Sequence, residues 1–309
     1  MKKFFIAIAA IATAISCSND DIISIDRQAI GFGNPFVENS VRADYSASTI
    51  QQFNVYGTVT GNGNTVALFG GDGAVVSSDG KAYGVAWNCT ETEYWVPGAN
   101  YVFEAVVDGA ISSSGTISFN VGDDVDNDGV SDLLYATKDV TNAAADQGIV
   151  KFNFRHLLSK VGFKFTNGVT ANDAYTFNVT GVSFTGHNTT GTYTISTDKW
   201  DETVSASSTA LSFGAAGAVA ANAVNAPTTH QIIPGEQTLN VTVTYNIVYN
   251  GTTIKENVKV EKSLTHDFAK GNVYTIVVEL PAPGQPIQFS VEETNGVDAW
   301  GNGGEQELA

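Results

Sequence analysis

Apolar and polar residues alternate with a period of two along most of the chain. In the clearest run, 239–250, every second residue from Leu239 to Tyr249 is apolar, and the positions between them are polar except for Val248. Side chains of a β-strand point alternately to its two faces, so this pattern predicts a strand with one buried face. Similar runs occur at 53–60, 101–108, 115–121, 150–154, 161–165, 175–184, 257–261 and 273–280. Gly, Asn and Asp separate these runs, which is typical of strands joined by tight turns.

Helical patterns are scarce by comparison. The best helix candidate is the alanine-rich stretch 215–226, which contains Gly217, carries no charge and could equally be a loop. We therefore predict an all-β fold with sheets packed face to face as sandwiches. Between 154 and 161 the apolar positions change from even to odd numbers, which predicts a bulge or strand break between His156 and Lys160.

Two features indicate that the chain forms two domains. The order Phe53, Trp87, Pro97-Gly98 and a long strand recurs later as Phe177, Trp200, Pro234-Gly235 and a long strand. The stretch 142–148 is small, polar and rich in strand breakers, so the boundary is expected near residue 150. This assigns 17–149 to an N-terminal sandwich and 150–309 to a C-terminal sandwich.

The first residues have the pattern of a signal peptide. Lys2 and Lys3 precede an apolar run, 4–15, that is too short to span a bilayer permanently. We therefore predict a signal peptide over 1–16.

The residues after that run resemble a lipoprotein lipobox. The sequence 14–17 is Ala-Ile-Ser-Cys, and a lipobox cysteine becomes the acylated first residue of the mature protein, which makes Cys17 the predicted lipid anchor. The alternative is an ordinary signal peptide whose cleavage site contains a cysteine. Residues 18–21 are polar and acidic and resemble a surface-export signal of Bacteroidetes lipoproteins, which favours the outer face of the outer membrane.

Composition narrows the range of functions. With 15 basic and 32 acidic residues the formal charge is −17, which disfavours nucleic acid or an anionic membrane as partners, so membrane contact is expected only through the lipid. The four histidines are scattered and no Gly-x-Ser-x-Gly elbow occurs, so we expect no enzyme activity. Only Cys17 and Cys89 are present, and an acylated Cys17 leaves no internal disulfide.

One acidic run has the spacing of a calcium loop. Residues 124–132 follow D-x-D-x-D-G-x-x-D, which places candidate ligands at Asp124, Asp126, Asp128, Asp132 and the carbonyl of Val130. The twelfth position is Tyr135 instead of a bidentate glutamate. The run therefore predicts either a structural calcium site or an Asp- and Gly-rich turn without a cofactor.

Several short segments together resemble the fimbrillin family of Bacteroidetes. They are Phe154-Arg-His-Leu-Leu-Ser-Lys-Val161, Asp132-Leu-Leu-Tyr-Ala136, Ile232-Ile-Pro-Gly235, Gly271-Asn-Val-Tyr-Thr-Ile276 and Trp300. The resemblance implies two transthyretin-like, Greek-key sandwiches in a structural or adhesive subunit of a surface fimbria (pilus), as shaft, anchor or tip. Its partners would be other fimbrial subunits and surface ligands of the host or of bacteria. The alternative is a non-polymerising surface lipoprotein that binds glycan or protein.

The family scheme implies maturation by cleavage after an arginine and filling of the vacated groove by a strand of another subunit. The candidate cut lies between Arg42 and Ala43, and it would release a first strand, 29–37, whose core-facing residues are Ile30 and Phe32. Alternatively, Arg27 and Arg42 are both surface charges beside a permanent strand. The candidate donor is 285–300, where Ile287, Phe289 and Val291 alternate, although the same segment could be the last strand of the C-terminal sandwich.

Overall fold

The computed structural model describes residues 28–37, 50–78, 87–121, 132–144, 147–169, 174–201, 205–220, 222–282 and 284–294. Within these ranges there is no α-helix, and the only helical turns are of the 3₁₀ type, Phe69–Gly71 and Ile195–Thr197. The all-β prediction is confirmed. None of the described helical turns is long and apolar enough to cross a membrane.

The strands are β1 (Phe36–Val37), β2 (Gln52–Gly61), β3 (Asn64–Ala67), β4 (Ala74–Ser78), β5 (Trp87–Cys89), β6 (Asn100–Val107), β7 (Thr116–Asn120), β8 (Leu134–Val140), β9 (Asn153–His156), β10 (Ser159–Asn167), β11 (Tyr175–Thr185), β12 (Asn188–Thr194), β13 (Lys199–Trp200), β14 (Ser205–Ala206), β15 (Leu211–Ser212), β16 (Gly217–Val219), β17 (Val224–Asn225), β18 (His230–Ile232), β19 (Gly235–Tyr249), β20 (Thr252–Phe268), β21 (Val273–Leu280) and β22 (Gln288–Thr294). The alanine-rich stretch contributes the short strands β16 and β17 and no helix.

These strands form four sheets. The largest has the order β1-β9-β8-β6-β2-β4-β5, with β3 beside β2. The second has the order β17-β10-β21-β22 with β18 on β10, and the third has β15-β11-β19-β20 with β16 on β11. The fourth is β13-β12-β14, with β7 on β12.

The described residues fall into two compact units. The first lies within Met1–Phe36, Gln51–Val106 and Ala136–Asn153, and the second within Val37–Ile50, Val107–Tyr135 and Phe154–Ala309. The described residues of 107–135, which the sequence assigned to the first domain, therefore group with the second unit. The reason is long-range pairing, since β7 runs antiparallel to β12 with Ile117 opposite Tyr193.

The second unit contains a β-sandwich whose two sheets share one core. Buried side chains of β10 and β21 meet those of β11 and β19, and the Phe163 and Phe184 rings are 6.3 Å apart. Strand β19 shows the predicted alternation, because Leu239, Val241 and Val243 are fully buried while the residues between them face outward or are partly covered. The phase change in the sequence corresponds to the break between β9 and β10, so the predicted strand break is confirmed.

Candidate functional site

The residues 28–37, which we call the N-terminal segment, lie between two other stretches of the first unit. On one side, Phe32 forms an antiparallel bridge with Trp87. On the other side, Phe32 forms a parallel bridge with Val150. The segment's backbone hydrogen bonds are Ile30 N–H to Glu93 O (2.8 Å), Trp95 N–H to Gln28 O (3.0 Å), Gly33 N–H to Val150 O (2.9 Å), Val150 N–H to Gly31 O (2.8 Å) and Phe36 N–H to Phe152 O (2.8 Å). Both flanking stretches therefore use this segment to satisfy main-chain groups.

The side chains of the segment alternate between the core and the outside. Ile30 and Phe32 are 6% and 4% exposed, so both predicted core-facing residues are buried. The Phe32 ring stacks on Phe152 at 6.1 Å, and it meets Phe53 and Phe103 edge-on at 6.4 and 6.2 Å. Phe32 is thus at the centre of an aromatic cluster in the first unit.

Glycines occupy the alternate positions that surround Phe32. A Cβ atom built on Gly33 would lie 2.7 Å from Ile149 Cδ1, and one built on Gly31 would lie 3.3 Å from Ile149 Cγ2. The Ile149 side chain therefore lies across the outward face of the segment, although it is itself 56% exposed. The segment is further fixed by a hydrogen bond from Trp87 Nε1 to Asn34 Oδ1 (2.8 Å).

The candidate donor residues lie on β22 and just before it, at the edge of a sheet of the second unit. Strand β22 pairs antiparallel with β21, with Val291 opposite Ile276 and Phe289 opposite Val278. Ile287, Phe289 and Val291 pack on the core of the second unit and are only partly buried. An edge strand is bonded along one side only, so it can leave with less disruption than a central strand.

Most of the other predicted site residues lie outside the described residues. This applies to Cys17, Arg42 and Ala43, and to the candidate calcium ligands Asp124, Asp126, Asp128 and Val130. Asp132, the remaining candidate ligand, is fully buried, and its Oδ2 lies 2.7 Å from His156 Nδ1. No group of three metal-ligating side chains occurs in the described part of the chain. Calcium binding stays a prediction.

An ionic cluster in the second unit was not predicted from the sequence. The Asp198 carboxylate receives a hydrogen bond from Arg155 Nη2 (2.6 Å), lies 2.7 Å from Lys270 Nζ and accepts a hydrogen bond from the Tyr193 hydroxyl. Partial burial raises the pKa of Asp198, but Lys270, Tyr193 and Arg155 outweigh this effect and hold the pKa at about 2. Burial and the hydrogen bond to Asp198 raise the pKa of Tyr193. Tyr193 and Asp198 are close in sequence, but Arg155 and Lys270 come from distant parts of the chain, and no local pattern relates them.

The replacement Asp198→Asn should lower stability at neutral pH and have a much smaller effect at pH 2. The folded-state pKa of about 2 lies below the ordinary value of 3.8, so the stabilising contribution is present above pH 3.8 and is lost as pH falls toward 2. Since the side chain is 49% exposed, solvent screens the ion pairs and we expect about 1 kcal/mol at most. Urea unfolding at pH 7 and pH 2 measures the difference. Asp72→Asn, an exposed position in the first unit, is the control, and a loss at pH 2 as large as the loss at pH 7 would contradict the assignment.

Comparisons with known proteins agree with this architecture. A family described as fimbrillin-like matches residues 42–295, which is most of the chain. The chain belongs to the fimbrillin-like family. Among curated proteins, no match is found.

Several solved structures are similar to this fimbrillin-like chain. A fimbrial protein from Bacteroides vulgatus has 18% identity and a TM-score of 0.63, covering 88% of this chain and 99% of its own. A proposed cell adhesion protein from Bacteroides ovatus has 14% identity and a TM-score of 0.54, covering 86% and 98%. Another from Bacteroides uniformis has 15% identity and a TM-score of 0.53, covering 88% and 99%. At these identities the similarity establishes the fold.

Proposed function

We propose that this fimbrillin-like protein is a structural or adhesive subunit of a cell-surface fimbria. In this scheme it is exported as a lipoprotein through Cys17, displayed on the outer membrane, and assembled with other subunits by exchange of the N-terminal segment. It touches the membrane only through its lipid and has no catalytic role. The observation that supports this most directly is the two-sided insertion of 28–37 with Phe32 in the centre of the aromatic cluster.

Release of this segment would create the receptor for another strand. Cleavage after Arg42 leaves the segment held by non-covalent contacts alone. Its departure would leave main-chain groups of Glu93, Trp95 and Val150 without their present hydrogen-bond partners. It would also expose an apolar groove that contains the Phe152 ring. An incoming strand satisfies the backbone and the groove in one step, which is the physical basis of strand addition.

The candidate donor strand suits this groove in spacing and in energy. Ile287, Phe289 and Val291 alternate as the groove requires, and Ile287 and Phe289 repeat the spacing of Ile30 and Phe32. The donor residues are only partly buried on β21, whereas Ile30 and Phe32 are almost completely buried. Transfer of the donor into a vacated groove therefore increases its apolar burial, which favours association.

Cleavage by an arginine-specific protease tests the scheme. The purified, unlipidated chain without its signal peptide should lose the residues up to Arg42 and then form ladders of oligomers. Mass spectrometry detects the cleavage, and gel filtration detects the oligomers. Arg42→Ala should stay monomeric, whereas the matched variant Arg27→Ala should assemble like the wild type. Truncation after Ala282 should permit cleavage but abolish the ladder.

Two results would count against strand exchange. A cleaved protein that remains a stable monomer favours the alternative of a non-polymerising surface lipoprotein that binds glycan or protein. Absence of cleavage at Arg42 in the folded protein would favour the reading in which the N-terminal segment is permanent.

A further inference from the structure

The second unit contains an open cleft of about 770 Å³. It lies beside the turn that follows β12 and beside the paired ends of β19 and β20. The side chains that matter for its chemistry are Asn188, Trp200, Asp201, Glu236, Asp267 and Lys270. Clefts of this size with a few converging polar groups commonly hold small organic ligands.

Trp200 supplies a fixed aromatic surface. Its Nε1 donates a hydrogen bond to Leu157 O (2.8 Å), and the indole remains only partly buried. A Cβ atom at Gly191 would lie 3.0 Å from the Trp200 ring, so the glycine makes room for the indole in its present position. The ring is therefore held in place before any ligand arrives, which reduces the entropy lost on binding.

Hydrogen-bond acceptors and donors line the same cleft as this ring. Glu236 and Asp267 are direct cross-strand partners in the β19–β20 ladder, and both line the cleft. Like charges directly opposite each other are unfavourable, so their pairing here is not explained by the stability of the sheet. Lys270 contributes an ammonium group, held 2.7 Å from the Asp198 carboxylate.

Asn188 is the observation that points most directly to a ligand. It is 3% exposed and lines the cleft, and its Nδ2 has no hydrogen-bond partner. Its main chain is fixed on both sides, because its N–H donates to Gln237 Oε1 (2.7 Å) and its carbonyl accepts from Ile233 N–H (3.2 Å). A buried donor without a partner is costly, and a ligand oxygen would remove that cost.

The combination of groups decides the class of ligand. The ionisable side chains of the lining are four carboxylates and two lysines, namely Asp198, Asp201, Glu236, Asp267, Lys199 and Lys270. Their net negative charge disfavours an anion, and so many polar groups disfavour a purely apolar ligand. Hydroxyl groups can donate to carboxylates and accept from an amide or an ammonium group, while the C–H faces of a sugar ring pack on an aromatic ring. We propose that this cleft is a binding site for a neutral saccharide.

Binding of neutral oligosaccharides to the full mature chain tests the site. Lactose, maltotriose, cellotriose and chitotriose are titrated by calorimetry and by saturation-transfer NMR, and we expect at least one of them to bind. Trp200→Ala should weaken that binding about tenfold or more. Asn188→Ala should weaken it too, but with an unchanged or higher Tm, because the Nδ2 atom contributes no intramolecular hydrogen bond.

The controls separate recognition from folding. Glu256→Gln removes an exposed carboxylate of the same hairpin outside the cleft, and it should bind as the wild type does. If Trp200→Ala does not fold, Trp200→Phe keeps an aromatic ring and should bind with intermediate affinity. The proposal fails if none of the four sugars binds, if Trp200 variants bind normally, or if a lysine-rich peptide occupies the cleft in their place. None of these results depends on cleavage at Arg42.

Discussion

Phe32→Ala should lower the free energy of unfolding of the first unit by about 3–5 kcal/mol. The side chain is 4% exposed and contacts the rings of Phe53, Phe103 and Phe152, so truncation leaves a cavity that rigid aromatic neighbours cannot fill. The same change should weaken the hold of the N-terminal segment on its groove. Urea unfolding followed by tryptophan fluorescence is a suitable measurement, because the Trp87 indole is bonded to Asn34 within that segment.

Phe36→Ala is the matched control for this experiment. Phe36 belongs to the same segment but is 60% exposed, so its replacement should change stability by less than about 0.5 kcal/mol. Equal losses from the two variants would mean that the segment does not depend on the aromatic cluster. A loss below about 1 kcal/mol for Phe32→Ala would show that the groove is not tightly filled, and it would remove the main physical support for strand exchange.

The sequence predicts the fold well where neighbouring residues along the chain determine the structure. Alternation in β19 is visible in the sequence because one face of that strand is buried along almost its whole length. The break between β9 and β10 was visible because a change of face reverses the phase of the apolar positions. In the N-terminal segment, Ile30 and Phe32 are buried and Gly31 and Gly33 occupy the alternate positions.

The structural features that we did not predict depend on contacts between residues that are distant in sequence. Pairing with β12 groups β7 with the second unit, and no local signal specifies which strand a short segment such as β7 will meet. The Asp198 cluster joins residues from three separate parts of the chain for the same reason. In the acidic run, Asp132 was indistinguishable from its neighbours in sequence, yet the structure buries it against His156.

That buried pair carries the other large expected effect, and His156→Leu should destabilise the second unit by about 3–5 kcal/mol. The two side chains are 2% and 0% exposed, and His156 Nδ1 is 2.7 Å from Asp132 Oδ2. Removal of the histidine leaves a carboxyl group in the interior without the partner that offsets its desolvation. Urea unfolding at pH 7 measures the loss, and Trp200 is a suitable fluorophore because its indole is bonded to the carbonyl of Leu157, next to His156.

A double-mutant cycle separates this pair energy from simple loss of packing. Asp132→Ala together with His156→Leu removes both polar groups, so the double variant should be more stable than His156→Leu alone, with a coupling energy of about 1–3 kcal/mol. Removal of one partner leaves a buried polar group unpaired, which is costly, whereas removal of both partners leaves an apolar interior. The second replacement should therefore restore part of the lost stability. Additive losses would show instead that each side chain contributes through packing alone.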